Sequence, residues 1–357
     1  MEKQSKTLDF RNQEFFIGMD VHKKSWTVTV RIPSTVLKTF SMKPLPLELN
    51  NYMENHYPQG KYNSVYEAGF CGYWVHRELT GLGFNNLIVS PTEIPTSCKE
   101  RLNKTDKVDS RKLSRELSNG TLKGIYIPSL KHEELRGLSR QRYHQAKKLV
   151  RVKNQIKSYL NCYGHKLPEN SEMKHWSKRF IKHLQSIEFE YKTGKERLDY
   201  FIDELEIIRD RKLKILNSIK NHLREEKMYN SVELLLSVPG IGSITATTFV
   251  TEIMDINRFS NTDSLASYVG LVPSIRSSGE TEKVLGLTVQ FNRYLRQLLV
   301  EAAWVAVRND PALTLAFNNY LIRMSKQKAI IRIARKLLNR MYYVLKNKTK
   351  YVYSVVA

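Results

Sequence analysis

Four acidic side chains in the first third of the sequence have the types and spacing to hold metal ions and act on phosphate esters. Asp20 ends the apolar run FFIGM, and Glu67 follows the segment NSVY. Asp106 and Asp109 are three residues apart, so on a helix both would lie on one side of the first turn. Crowded carboxylates repel one another near neutral pH unless a cation compensates them. Mg²⁺, or Mn²⁺ as a substitute, prefers oxygen ligands and takes others from phosphate, and two ions about 4 Å apart stabilise the attacking and leaving oxygens of a phosphodiester.

Each acid also has a purely structural interpretation. Asp20 could cap a turn, Glu67 could be a solvated acid at a strand end, and Asp106 and Asp109 are typical of a helix first turn. For any single acid this interpretation is the stronger one, and only the whole set indicates a metal site. His22 could approach the metal or a phosphate, although a histidine in a surface turn is the simpler interpretation.

The acids require a sheet and a helix to bring them together. Alternating apolar residues and turn signals predict an α/β region over residues 14–125. Thr105 is a suitable N-cap for the helix that would carry Asp106 and Asp109. The predicted strands are 15–19, 26–32, 63–66 and 86–89, and the predicted helices are 72–82 and 106–117.

The overall charge favours a polyanionic partner. The chain has 357 residues, a net charge of +23 and a pI near 9.8, and its 41% hydrophobic content allows a buried core. Such a field attracts nucleic acid or an anionic membrane surface. No apolar stretch approaches the roughly 18 residues of a membrane span, and MEKQSKTLDF lacks the apolar core of a signal peptide. We therefore expect nucleic acid as the partner, and no membrane.

The three cysteines do not form a recognisable framework. Cys71, Cys98 and Cys162 are scattered and odd in number, which fits neither a disulfide scaffold nor a zinc site. Reduced thiols in a cytoplasmic protein are the simplest interpretation.

The rest of the chain is predicted to be mainly helical. Apolar residues at three-four spacing in 131–225 predict two long amphipathic helices, arranged as an antiparallel coiled-coil hairpin or as a packed helical subdomain. Arg142 and Lys212 interrupt the heptads. Residues 232–345 form a second compact, mostly helical region, in which VPGIGSITA suggests either a helix-hairpin-helix phosphate site or a tight helix-helix turn.

One face of the first long helix is strongly basic. A solvated surface is the usual interpretation of such a run, and a face that follows phosphates is the competing one. The residues are Lys147, Lys148, Arg151, Lys153 and Lys157.

Six segments of the sequence resemble one known family. FFIGMDVHKK, VYEAGFCGYWVHREL and NKTDKVDSRKLSREL are similar to the three acidic blocks of the IS-one-ten / IS-eleven-eleven insertion-sequence transposases, which are relatives of Piv-type DNA invertases. LLSVPGIGSITATTFVTEI, RFSNTDSLASYVGLVPSIRSSGE and NRYLRQLLVEAA resemble the C-terminal transposase domain of that family. The resemblance covers about residues 14–345, in order and with fitting spacings.

The resemblance implies a RuvC-like, ribonuclease H-type domain with a DEDD metal site, and these letters fall on Asp20, Glu67, Asp106 and Asp109. It also implies a nucleophilic serine at Ser278, with Ser277 as the fallback, that forms a phosphoserine link with DNA. Members of the family are guided by a structured RNA. The nucleic-acid-binding candidates of the C-terminal domain are Arg276, Asn292 and Arg296.

The sequence departs from the family pattern at a few positions. Val289 and Phe291 replace a basic residue and a glycine before Asn292, which puts a close backbone approach to DNA there in doubt, and Ser110 replaces the usual alanine. The polar segment SIRSSGETEK is expected to be an exposed loop. All four acids are present, which favours an active enzyme.

Three functions compete at this point. The leading one is a DNA transposase or site-specific recombinase that is Mg²⁺-dependent, works through a serine-linked intermediate and is guided by RNA. It would assemble as a dimer or tetramer around two DNA ends and a target. The alternatives are a RuvC-like nuclease that uses water, and an inactive nucleic-acid-binding relic.

Overall fold

The computed structural model describes residues 9–96, 105–278 and 281–353, and for 275–278 and 281–285 it describes the backbone alone. The chain forms two compact units, which divide between Ile127 and Pro128. The sequence boundary expected at 225–232 lies inside the second unit, and Cys98 lies outside the described residues.

The first unit is built on a five-stranded mixed sheet of order β3-β2-β1-β4-β5. β1 pairs antiparallel with β2, β2 pairs antiparallel with β3, and β1, β4 and β5 are parallel. The predicted α/β region is thereby confirmed, whereas the sequence analysis missed β3 and the first helix. The elements are β1 (Glu14–Val21), β2 (Trp26–Arg31), β3 (Val36–Met42), α1 (Pro46–His56), β4 (Lys61–Glu67), α2 (Trp74–Gly81), β5 (Asn85–Val89) and α3 (Asp106–Ser118).

Helices cover both faces of this sheet. Ile17 and Met19 of β1 point to one face, where they join an apolar cluster with Leu49 of α1 and Leu79 of α2. On the other face, Leu113 of α3 belongs to a smaller cluster with residues of β4 and β5. Alternation along a strand sends neighbouring residues to opposite faces, so Gly18 and Asp20 lie on the face that α3 covers.

A glycine allows α3 to lie very close to β1. A Cβ atom on Gly18 would stand 2.1 Å from the carbonyl oxygen of Ser110 and 2.4 Å from the backbone nitrogen of Ser114. Beside this contact, the buried Ser110 hydroxyl lies 2.9 Å from that of Thr29 on β2. Position 110, which departs from the family pattern, therefore adds a buried hydrogen bond between α3 and the sheet.

The second unit begins with two long helices, α4 (Leu130–Cys162) and α6 (Lys192–Glu225), with α5 (Lys178–Gln185) between them. The helices run antiparallel, since Leu135 shares an apolar cluster with Leu223 at one end, and the Tyr159 hydroxyl donates to the Gly194 carbonyl (2.9 Å) at the other. The predicted antiparallel pair is confirmed, and coiled-coil packing between its members stays a prediction.

The remainder of this unit is mostly helical, as predicted. The expectation of a loop over SIRSSGETEK was wrong for the described residues of this segment, because they lie in two antiparallel strands in which Ser278 pairs with Thr281. No helix in the described part of the chain is both long and apolar enough to cross a bilayer. The elements are α7 (Tyr229–Leu236), α8 (Ser243–Ile253), a 3₁₀ turn (Ile256–Arg258), α9 (Thr262–Val269), β6 (Pro273–Ser278), β7 (Thr281–Leu287), α10 (Arg293–Asn309), α11 (Pro311–Leu321) and α12 (Lys326–Asn347).

Candidate metal centre and nucleic-acid interface

Two of the four predicted acids meet beside a histidine at the end of β1. His22 Nε2 lies 3.3 Å from Asp20 Oδ2 and 3.6 Å from Asp106 Oδ1. One ligand atom from each of these three side chains lies within 4.8 Å of the others. Thr105 fixes the start of α3 by accepting a hydrogen bond from the Val108 amide (3.3 Å), and this cap places Asp106 at the cluster. His22 is exposed in the turn after β1, as the simpler interpretation expected, and it also lies within reach of both acids, so its part in a metal site stays a prediction.

Glu67 ends the strand beside Asp20. The parallel register pairs Met19 with Tyr66, so Asp20 and Glu67 are the next residues along two adjacent strands. Because side chains alternate between the faces of a sheet, both lie on the face that α3 covers. Glu67 is half-buried. Its carboxylate is not part of the compact group formed by Asp20, His22 and Asp106, and metal binding by Glu67 stays a prediction that its backbone position is compatible with.

Asp109 has a cation of its own. Its Oδ1 accepts a hydrogen bond from Lys112 Nζ at 2.9 Å, and both side chains are largely buried. The sequence analysis did not single out Lys112, although a lysine three residues after an acid on a helix is a known pairing signal. The amine compensates the charge of Asp109, which lies outside the compact group but close enough to act on Asp20.

The electrostatics of Asp20 indicate a place for a cation. Burial raises the pKa of Asp20, the charge of His22 lowers it, and the charges of Asp106 and Asp109 raise it further. A carboxylate in this environment is stabilised by a positive ion beside it. The available donors are carboxylate oxygens and one imidazole nitrogen, a set that fits a divalent cation such as Mg²⁺ or Mn²⁺.

The predicted nucleophile stands at the end of a strand. Ser278 is the last residue of β6, Ser277 pairs with Glu282, and Arg276 pairs with Lys283. The structure describes the backbone at these positions and not the side chains. Ser278 therefore lies at the C-terminal end of β6, and the choice between Ser278 and Ser277 stays a prediction.

Asn292 is engaged inside the second unit. Its Oδ1 accepts hydrogen bonds from the Tyr294 and Leu295 amides (3.0 and 3.1 Å) and caps α10, and its Nδ2 donates to Glu252 Oε2 at 2.8 Å. Arg140 also binds Glu252 with two hydrogen bonds of 2.7 and 2.9 Å. Nucleic-acid binding by Asn292 stays a prediction, but its amide already joins α8 to α10, and Glu252 in turn joins α4 through Arg140.

The buried Glu252 and the partly exposed Arg140 form an ion pair that the sequence analysis missed. The Glu252 side chain is fully buried. Burial opposes the charge of Arg140, but the hydrogen bond and charge of Glu252 outweigh it and raise the pKa of the guanidinium. A lone acid in the otherwise uncharged segment TATTFVTEI was the available signal, since an acid is seldom buried without a partner.

Arg296 lies against Phe291 at the end of the hairpin. Its guanidinium carbon is 3.6 Å from the centre of the Phe291 ring, and its Nη2 donates to the Thr288 carbonyl at 2.6 Å. Burial lowers the pKa of Arg296. Phe291, one of the departures from the family pattern, thus supports a predicted nucleic-acid-binding arginine.

The five basic residues of α4 divide between two surroundings. Lys147 and Arg151 line a surface groove. Lys153 and Lys157 lie over the Trp176 ring, with ammonium-to-centroid distances of 5.0 and 5.9 Å. Lys148 is exposed and belongs to neither surrounding.

Arg142 and Lys212, which interrupt the heptads, lie close enough for their charges to interact. Burial lowers the pKa of Lys212, and the charges of Arg142 and Arg209 lower it further. Burial likewise lowers the pKa of Lys153, with smaller effects from Arg209 and Lys212. The helix pair thus holds several like charges close together, which favours an anion nearby.

The VPGIGSITA segment forms the turn between α7 and α8. Gly240 has a φ of +84°, and a Cβ there would lie 2.6 Å from the Ala302 carbonyl oxygen of α10. This glycine therefore serves helix packing. Gly242 precedes α8, and a Cβ added to it would meet no atom within 4 Å, so the helix N-terminus is open on that side.

Both candidate regions match known protein families. The family model described as "Transposase IS116/IS110/IS902 family" matches residues 232–317. A second model, a transposase domain with a DEDD designation, matches residues 17–164. The chain therefore contains transposase domains of the IS116/IS110/IS902 family. The two matched segments contain every candidate residue discussed above.

The chain is also similar to individual proteins with transposase names. The Sinorhizobium fredii protein named "Putative transposase y4qE" is 31% identical over 239 residues, which cover 67% of this chain and 57% of that protein. The protein named "Putative transposase y4rJ" of the same organism is 28% identical over 298 residues, covering 77% and 74%. The transposase for insertion sequence element IS1111A of Coxiella burnetii is 26% identical over 252 residues, covering 69% and 66%. The aligned part of the chain thus spans little more than half the length of the first of these relatives.

Proposed function

We propose that the chain is the transposase of an insertion sequence, which cleaves and exchanges DNA strands with the help of a divalent metal ion. The observation that carries this proposal is the cluster of Asp20, His22 and Asp106 within the segment that matches the DEDD transposase family. The strand order, with acids at the ends of adjacent parallel strands, supports a ribonuclease H-like fold for the first unit.

Asp20, Glu67, Asp106 and Asp109 would hold the metal ions, with Mg²⁺ as the expected ion. The bound metal would supply charge stabilisation to the attacking and leaving oxygens of the phosphodiester. Asp20 is half-buried, and its surroundings disfavour the charged form of its carboxylate. A bound cation would stabilise that form. Asp109 would exchange the Lys112 amine for the metal.

Ser278 is the proposed nucleophile. Its hydroxyl would attack the phosphorus atom and lose its proton, and the displaced deoxyribose oxygen would gain one. The resulting phosphoserine link retains the phosphodiester, so a second hydroxyl can displace the serine without an external energy source. A serine hydroxyl needs activation for this step, and a divalent metal ion or a general base would supply it.

Guidance by RNA and assembly as a dimer or tetramer complete the proposal. The net charge of +23 suits both a DNA and an RNA partner. Exchange of two DNA ends requires more than one active site, which favours an oligomer. A monomer in light scattering, both free and bound to nucleic acid, would contradict the proposed assembly.

A covalent-trapping experiment tests the serine. The protein is incubated with Mg²⁺, RNA transcribed from the flanking sequence and a plasmid that carries the gene with both flanks, and a protein–DNA adduct is sought on a denaturing gel. We expect an adduct with the wild type and with Ser277→Ala, and none with Ser278→Ala or Asp20→Asn. An adduct that persists in Ser278→Ala and disappears in Ser277→Ala would move the role to the neighbouring serine.

The same gel separates the competing functions. Cleavage without an adduct, unchanged in Ser278→Ala and lost in Asp20→Asn, would support a nuclease that uses water. Salt-sensitive binding without cleavage by any variant would support an inactive binding protein.

A further inference from the structure

A long groove crosses the second unit between α4, the first turn of α8 and α10. It consists of two adjoining depressions of about 880 and 620 Å³. The depressions share Tyr143, Lys147, Gln297 and Glu301, so they form one continuous surface. We call it the α4–α10 groove.

Cations predominate among the charged residues that line the groove. Five cationic side chains line it, and Glu301 is the one acid among the lining residues, with its Oε1 accepting a hydrogen bond from Gln297 (2.8 Å). This balance makes the groove complementary to an anionic chain. The cationic residues are Arg142, Lys147, Arg151, Arg293 and Arg296.

Arg142 gives the strongest indication of an anionic ligand. Only 7% of the surface of Arg142 is exposed to solvent, and this residue lines the larger of the two depressions. Within the described ranges no side chain pairs with its guanidinium, and burial alone lowers its pKa. A buried charge without a partner is costly, and a phosphate oxygen in the groove would compensate it.

The groove also presents aromatic and apolar surface. Phe291 is 45% exposed, and the partly exposed Tyr143 is held edge-on against Tyr294 at 4.9 Å between ring centres. Val150 and Ile244 add exposed apolar side chains. A duplex keeps its bases stacked inside, so these rings suit bases that are unpaired.

We propose that the α4–α10 groove binds an unpaired segment of nucleic acid, with a backbone phosphate at Arg142 and bases against Tyr143 and Phe291. The inference rests on the proposed function only in that the protein acts on nucleic acid. Unpaired DNA and unpaired RNA share this chemistry, and the experiment below distinguishes them.

The test measures binding without catalysis. The Asp20→Asn protein, in EDTA, is titrated into fluorescein-labelled oligothymidylate, oligouridylate or duplex DNA of about 12 nucleotides, a length within the known range for such grooves. Fluorescence anisotropy gives the dissociation constants. The stronger of the two single-stranded ligands identifies DNA or RNA as the preferred source.

Four further variants are compared on that background. Phe291→Leu keeps an apolar side chain and removes the ring, and we expect about tenfold weaker single-strand binding with little change for duplex DNA. Lys147→Gln should reduce the salt dependence of single-strand binding by about 0.7 in slope. Arg142→Gln should weaken it as well, and Lys336→Gln, an exposed charge change on α12 outside the groove, should leave it unchanged. Circular dichroism and the melting temperature confirm that each variant is folded.

Equal weakening of single-strand and duplex binding by Phe291→Leu, or no weakening at all, would overturn the proposal. Competition by polyglutamate that is as strong as by oligothymidylate would overturn it too, because the groove would then accept an acidic protein segment. A photo-crosslink from 5-iodouracil to the peptide that contains Tyr143 or Phe291 would support it. None of these results depends on cleavage, so a failure here and a failure of the transposase assay are distinguishable.

Discussion

The substitution Gly18→Ala should separate the acids without changing any of them. The added Cβ would stand 2.1 Å from the Ser110 carbonyl oxygen, whereas ordinary contacts begin at 3.4 Å. Both nearby atoms, the Ser110 oxygen and the Ser114 nitrogen, belong to the backbone of α3, so no side-chain rotation relieves the contact. The helix therefore has to move away from β1 by about 1 Å. This is the backbone shift that an extra carbon atom causes in a tightly packed core.

This displacement would be transmitted to Asp106, which α3 carries at its first turn. Overpacking of this kind costs about 1–3 kcal/mol, which lowers the melting temperature of a unit this size by about 3–15 °C. Misplacing a catalytic group by about 1 Å can reduce a rate by about 100-fold. We therefore expect Mg²⁺-dependent DNA cleavage to fall by about that factor, measured below the melting temperature of the variant.

Gly81→Ala is the matched control. Gly81 lies at the end of α2 in the same unit, and nothing stands within 4 Å of a Cβ built there. We expect unchanged cleavage and a melting temperature equal to that of the wild type or higher. Wild-type stability and cleavage in Gly18→Ala would refute the close packing of α3 on β1 as the device that positions Asp106.

Three further substitutions test the charges. Asp20→Asn should reduce cleavage by about 100-fold or more, while its melting temperature in EDTA should not fall, because the charge that burial and the neighbouring acids disfavour is gone; a clear loss of stability would contradict this account. Lys112→Met should lower the unfolding free energy by about 3 kcal/mol, and added Mn²⁺ should restore part of it if Asp109 binds metal. Glu252→Gln should cost about 2–3 kcal/mol, less than a fully buried pair because Arg140 is partly exposed. The double variant Arg140→Met/Glu252→Gln should be more stable in thermal unfolding than the sum of the two single losses predicts. Losses that simply add would argue against an interaction between the two side chains.

Local patterns predicted most of the elements near the site. β1, β2, β4, β5 and α3 have strong apolar periodicity or a capping residue, and the structure has them within a few residues of the expected ends. β3 was missed because its residues are largely exposed at the sheet edge. The β6–β7 hairpin was mistaken for a loop, because strand pairing depends on contacts that a short polar segment does not reveal.

The amino-acid sequence by itself determined the four acids, the basic charge and the family, since these depend only on residue type and spacing. The tertiary structure decided which groups meet. It joined His22 to Asp20 and Asp106, gave Asp109 the Lys112 amine, and engaged Asn292 with the buried Glu252. It also left Arg142 buried in a groove without an acid partner among the described residues. Such contacts are set by packing between elements distant in the chain, as at Gly18 against α3, where one missing Cβ determines how closely two elements approach.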